Sequence, residues 1–198
     1  MNILVIRHGQ SEADILQVHE GRVDYPLTEK GHKQAQIMAD FIKSNFKVNK
    51  IYSSTLTRAK QTAQYLADIF NLDIIYEEDL QEFNNGLLAG LTYEEAKIKY
   101  PKVDNLPINK SVYGMESLLE FRNRAERVLN KILEETKDDE TIVIISHGKM
   151  INQLYHVFLN LPVNQDIFFS TGDTGIHLWL KEKERRYVVF ANYNPVRE

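Results

Sequence analysis

Apolar residues along this chain fall into two alternating kinds of run. Ile3 to Ile6 is short, β-branched and bounded by polar residues, as suits a strand buried on both faces. After a loop to Pro26, Thr28 has N-cap chemistry with Glu29 in the first turn. Ala35, Met38, Ala39 and Ile42 then recur at i, i+3, i+4 and i+7, the stripe of an amphipathic helix. A strand at 50–53 leads into a second helix with Ala59, Ala63, Leu66 and Phe70 on one face, and 73–76 reads as a third strand. From Leu80 to Leu91 the pattern predicts a loop with two glycines, then a short helix over 92–100 and an irregular stretch over 101–114 holding two prolines. Ser117 with Glu120 is a capping-box signature for a helix carrying Leu118, Phe121, Ala125, Val128 and Ile132. Residues 141–146 form the most apolar strand, a helix over 149–159 follows, and strands near 175–180 and 187–191 close the chain. The charged tract KEKERR between those two strands reads as a solvated turn.

Strands alternating with amphipathic helices predict an α/β fold, a mainly parallel central sheet with helices on both faces. At 198 residues the expectation is a single domain spanning 1–198, with a small helical or loop flap inserted around residues 80–114.

Composition narrows the function classes. A net charge of −4 offers no global attraction to nucleic acid or anionic membrane, so any anion site must be a local cluster. The absence of cysteine excludes disulfides, thiolate metal sites and a cysteine nucleophile. No apolar run approaches the ~20 residues that span a bilayer, and the first residues lack a basic leader. The expectation is a cytoplasmic protein with no nucleic-acid or membrane partner, either a monomer or a homodimer.

In open parallel sheets, ligands bind beyond the carboxyl ends of the strands. Arg7, His8 and Gly9 follow the first strand, Arg58 the second, Glu82 the third, and His147 with Gly148 the fourth. Two arginines can hold phosphate oxygens bidentately, and a neutral imidazole can attack phosphorus. A second histidine can offset charge in the transition state. A carboxylic acid can protonate the leaving alkoxide and then activate water. The set calls for phosphoryl transfer on a small phosphorylated metabolite, with no metal and no cofactor.

The motifs RHG, PLTEKGHKQA, SSTLTRAKQTA, LQEFNNGLLAGLT and SHG, in this order, resemble those of the histidine phosphatase superfamily, the phosphoglycerate mutase-like proteins. GMES, residues 114–117, resembles a motif of its phosphatase branch. The resemblance implies a phosphoglycerate mutase-like fold, His8 as nucleophile, Arg7, Arg58 and His147 as phosphate pocket, and Glu82 as proton donor. It implies that the backbone of Gly21 approaches substrate, with Asp14, Glu20 and Gly148 as further substrate-binding candidates. At Asp14 the family commonly has asparagine. An ionised aspartate cannot donate to phosphate, and the expectation is that it pairs with an arginine.

Each residue alone has an ordinary explanation: a surface ion pair for Arg58, a structural role for a lone histidine. Their coincidence on one rim carries the reading. His19, His32, His156 and His177 lack such company and are expected to be structural. Between Glu82 and Arg122 there is no arginine, and the loop offers Phe83, Leu87, Leu88, Leu91 and Tyr93 instead. A mutase needs extra cations there, so a phosphatase for small phosphomonoesters is expected. A cofactor-dependent phosphoglycerate mutase and a weakly active phospho-ligand binding protein remain as alternatives.

Overall fold

The computed structural model describes residues 1–164 and 166–196. Its centre is a six-stranded sheet in the order β3-β2-β4-β1-β5-β6. Strands β1 (Asn2–Arg7), β2 (Lys50–Ser54), β3 (Ile74–Glu77) and β4 (Thr141–Ser146) run parallel. β5 (Ile176–Glu182) lies antiparallel to β1, and β6 (Arg185–Tyr193) antiparallel to β5. In the central pair, Ile3 stands opposite Ile142 and Arg7 opposite Ser146.

The continuous apolar runs of β1 and β4 follow from cover on both faces. Successive strand residues point to opposite sides. Ile3, Val5, Ile142 and Ile144 therefore pack with helices α5 (Leu118–Glu134) and α6 (Gly148–Phe158), through Phe121, Ile132, Leu154 and Phe158. Leu4, Ile6, Val143 and Ile145 meet Met38 and Ile42 of α2 (Glu29–Asn45) and Ala59 and Leu66 of α3 (Thr57–Phe70). The helix stripes read from the sequence are these buried faces.

The helix starts are built as the residue types require. The Thr28 hydroxyl accepts the Gly31 N–H at 3.0 Å. Ser117 accepts from the Glu120 N–H, while the Glu120 carboxylate accepts the Ser117 N–H at 2.7 Å. The N-terminal end of α2 also touches the segment leaving β1. A Cβ on Gly9 would lie 2.6 Å from the Gly31 carbonyl oxygen, and one on Gly31 would meet the Gln10 carbonyl oxygen. The glycines of RHG and TEKG are thus two sides of one backbone contact.

Two expectations need correcting. The stretch read as a loop before Pro26 contains a short helix, α1 (Glu12–Leu16), in which only Ala13 is buried. It has no apolar stripe to read; what starts it is the Asp14 carboxylate accepting the Ser11 N–H at 2.8 Å. Most of KEKERR is paired strand, because Lys181, Glu182, Arg185 and Arg186 belong to the β5–β6 ladder. Charges on an outer hairpin are compatible with strand, and Arg186 donates to the Phe158 carbonyl at the end of α6. The flap over 80–114 comprises a 3-10 turn at Gly86–Leu88, helix α4 (Tyr93–Lys99) and an irregular segment after it.

Candidate active site

The parallel strands end on one rim, and β1 ends there with Arg7 followed by His8. His8 is buried, and its Nδ1–H donates to the Gly9 carbonyl at 2.7 Å. That bond fixes the tautomer, leaving Nε2 unprotonated and able to accept. Burial, then the charges of Arg58 and Arg7, hold the imidazole well below its ordinary pKa, so it is neutral at pH 7.

Arg58, in the first turn of α3, is fully buried. Its Nε donates to His8 Nε2 at 3.3 Å and lies 3.1 Å from a Glu20 carboxylate oxygen. Its Nη1 donates to the Val23 carbonyl at 2.9 Å and its Nη2 to the Gly21 carbonyl at 2.8 Å. The loop carrying Gly21 thus orients the guanidinium. Arg7 donates from Nη1 to the Thr171 carbonyl at 3.0 Å, and its Nη2 lies 3.4 Å from Asp173 and 3.6 Å from Asp14.

His147 caps α6, which Gly148 begins. Its Nε2 shares a 2.8 Å hydrogen bond with the Ser54 hydroxyl at the end of β2, and its ring centroid lies 5.0 Å from that of His8. Burial, with Arg58, keeps this imidazole neutral as well. Nδ1 of His147 and Nε of Arg7 are buried and take no hydrogen-bond partner among the described residues. Such donors near a rim suit an anion.

Glu82 sits at the amino end of α6. Its carboxylate accepts from the N–H groups of Phe83 at 2.8 Å, Lys149 at 3.1 Å and Met150 at 3.1 Å. Glu20 reaches the seat itself: it accepts from the Ser11 hydroxyl at 2.6 Å and lies 3.7 Å from His8 Nε2. Burial raises its pKa, against the opposing pull of Arg58 and Ser11. One cavity of about 260 Å³ is lined by Arg7, His8, Glu20, Glu82, Gly148 and Lys149. The neighbouring one takes in Asp14 and Gly21.

All nine candidate residues therefore meet at one place, and Asp14 has the arginine expected for it. Ser11, Ser54, Thr171, Asp173 and Lys149 belong to the same cluster and were missed. Asp173 and Thr171 come from the approach to β5, which runs antiparallel, so its amino end reaches the rim. A search confined to the carboxyl ends of strands passes over it. His19 differs from expectation, lining the cavity beside Glu20 and stacking edge-on against Tyr93 at 4.9 Å. His177 is structural as expected, held by the hydroxyls of Tyr155 and Thr171.

The family model of the histidine phosphatase superfamily (branch 1) matches residues 3–193. Phosphoserine phosphatase 1 of Hydrogenobacter thermophilus is 30% identical over 195 residues, covering 96% of this chain and 90% of that one. A probable phosphoglycerate mutase of Proteus mirabilis is 31% identical over 167 residues, covering 82% and 76%. The solved phosphoserine phosphatase of Entamoeba histolytica, in complex with 3-phosphoglyceric acid, superposes with a TM-score of 0.79 at 29% identity over 97% of this chain and 96% of that one.

Proposed function

This chain belongs to the histidine phosphatase superfamily (branch 1), and on that premise we propose that it is a metal-independent phosphatase of small phosphomonoesters working through a phosphohistidine on His8. The observation that carries the proposal is a neutral His8 whose unprotonated Nε2 meets the Arg58 guanidinium, beside His147, whose Nδ1 has no partner among the described residues.

In this reading Nε2 of His8 attacks phosphorus and the ester P–O bond breaks. Arg7, Arg58 and His147 hold the equatorial oxygens, where the charge of the transition state spreads. Glu82, which lines the same cavity as His8, gives a proton to the departing alkoxide. It then takes one from the water that attacks the phosphohistidine, releasing inorganic phosphate and restoring the imidazole. These groups supply nucleophile, charge and proton from side chains, so a chelator is expected to leave turnover unchanged.

Hydrolysis rather than mutase chemistry is favoured by the flap. A chamber of about 480 Å³ shares His19, Tyr93 and Lys149 with the site and is lined by Leu88, Tyr100, Val103, Leu106 and Tyr113 among others. Its cations are lysines, with no arginine to grip a second anionic end. An alcohol with apolar surface fits such a wall, and broad specificity follows.

His8→Ala is expected to lower p-nitrophenyl phosphate turnover by about a thousandfold or more. Retained turnover would end the phosphohistidine mechanism. Glu82→Gln should cost about 10²-fold or more on alkyl phosphates, whose leaving groups need a proton, and far less on p-nitrophenyl phosphate. Unimpaired turnover of both would remove Glu82 from the proton transfer. Isomerisation of phosphoglycerates, with acid-labile phosphate persisting on His8, would make the mutase the better reading. Phosphate binding without turnover would leave a binding protein.

A further inference from the structure

Glu20 stands where an anion has to sit. Its carboxylate lies 3.1 Å from Arg58 Nε and 3.7 Å from His8 Nε2, against the donor and the nucleophile that a phosphoryl group would meet. The Ser11 hydroxyl holds it there. A phosphate on His8 therefore arrives in van der Waals range of a carboxylate, and two ionised groups at that distance repel strongly in a buried site.

Charge around the seat makes the conflict worse. Facing Glu20 are Arg7 and His8 from the end of β1, Asp14 from α1 and Arg58 from α3. Glu82 from the flap and Lys149 from α6 line the same cavity. Asp173, before β5, already pairs with Arg7, as Asp14 does. With both histidines neutral, the carboxylates of Glu20, Asp14, Glu82 and Asp173 stand against the cations Arg7, Arg58 and Lys149, with Lys30 also acting on Asp173. A dianionic phosphate thus enters a seat whose cations are already matched by carboxylates. Nδ1 of His147 and Nε of Arg7, buried donors without a partner among the described residues, do not offset that by themselves.

We propose that phosphate enters this seat together with one proton, held between Glu20 and a phosphate oxygen. Either the Glu20 carboxyl donates its O–H to a dianionic phosphate, or a monoanionic phosphate donates its own O–H to the carboxylate. The count is the same, one proton taken from solvent above neutral pH. Burial favours the first form, because it already raises the affinity of Glu20 for that proton. Glu20 then does with a proton what an amide side chain does without one. It makes binding, and with it the whole reaction, a function of pH. This rests on the phosphoryl-binding reading above, and it assigns Glu20 as the residue that sets which ionic form is accepted.

Calorimetric titration of the full-length protein with inorganic phosphate, in two buffers of different ionisation enthalpy, counts the protons. At pH 8 about one proton per site is expected for wild type and close to none for Glu20→Gln, whose amide donates to the same oxygen. Correspondingly, wild-type phosphate affinity should fall about tenfold per pH unit from pH 7.5 to 9, and that of the variant by less than about twofold. Wild-type uptake near zero at pH 8 overturns the proposal without any variant. So does full uptake retained in Glu20→Gln or in Glu20→Ala, which serves should the first fold poorly. Loss of the proton in Asp14→Asn instead would transfer the role to Asp14 and overturn it too. None of these readouts needs turnover. Zero uptake in an enzyme that His8→Ala inactivates sinks the proton and spares the phosphatase, while proton-coupled binding without turnover does the reverse.

Discussion

At the scale of single residues, the site is a set of side chains whose freedom has been removed. Arg58 spends its donors on His8, Gly21 and Val23, so its guanidinium is placed before any substrate arrives. His147 depends on one neighbour: Ser54 fixes its Nε2 and so aims its Nδ1. Ser54→Ala is expected to lower kcat/KM for p-nitrophenyl phosphate about tenfold, the worth of one hydrogen bond to a catalytic group. An unchanged kcat/KM would show that packing alone holds the ring. Asp14 serves two partners, capping α1 through Ser11 and pairing with Arg7. Arg7, His8, Arg58, Glu82, His147 and Gly148 were legible from residue type and position after a strand, while Asp14, Glu20 and Gly21 came from the family resemblance. Ser54 was legible from neither, since a serine at a strand end carries no signal until its hydroxyl is seen against a ring.

At the scale of elements, the site depends on how close the backbones come. α2 begins against the segment leaving β1, with Gly31 turned to the Gln10 carbonyl and the Thr28 N–H donating to that same oxygen at 3.0 Å. Gly31→Ala must push these backbones apart. We expect about 1–3 kcal/mol of lost stability together with a drop in kcat, because His8 rides on the displaced segment. A thermal melt and a rate measurement read the two effects. Full activity at unchanged Tm would mean that the contact yields freely. The start of α6 is the second such device. His147 precedes it, and the first N–H groups hold Glu82, so one helix end sets two members of the site. Periodicity found α2, α3 and α5 because each buries a stripe, whereas α6 is buried all round from Met150 to Phe158. It missed α1, whose five residues bury only Ala13 and are started by a side-chain cap.

At the scale of the whole molecule, the sheet carries several histidines into a dry interior as neutral rings. Burial lowers the pKa of His8 and His147 well below 6.5 and that of His177 to about 4. Unfolded, each takes up its proton near pH 6.5. Below that pH the unfolded chain therefore binds protons that the folded protein refuses. Stability present above pH 6.5 is lost as pH falls toward the folded value. For His177 alone the window from 6.5 to about 4 is worth about 3 kcal/mol. The raised values of Glu20 and Asp173 act in the opposite sense, so the His177 part is isolated by substitution. The urea midpoint of wild type should fall between pH 7 and pH 4.5, and His177→Gln should show a smaller fall. Equal falls in both would refute the assignment.

Residue order alone sets the strands, the amphipathic helix faces and the parallel core, because burial on two sides or one imposes periods that can be counted along the chain. It also determined which imidazole, guanidinium and carboxylate groups follow the parallel strands. What stands beside them follows from the three-dimensional fold. The antiparallel turn of β5 brings Asp173 and Thr171 to Arg7 across more than 160 positions of chain, and the loop after α1 lays Glu20 over His8. Such contacts arise from topology and close approach, and neither leaves a period in the order of the residues.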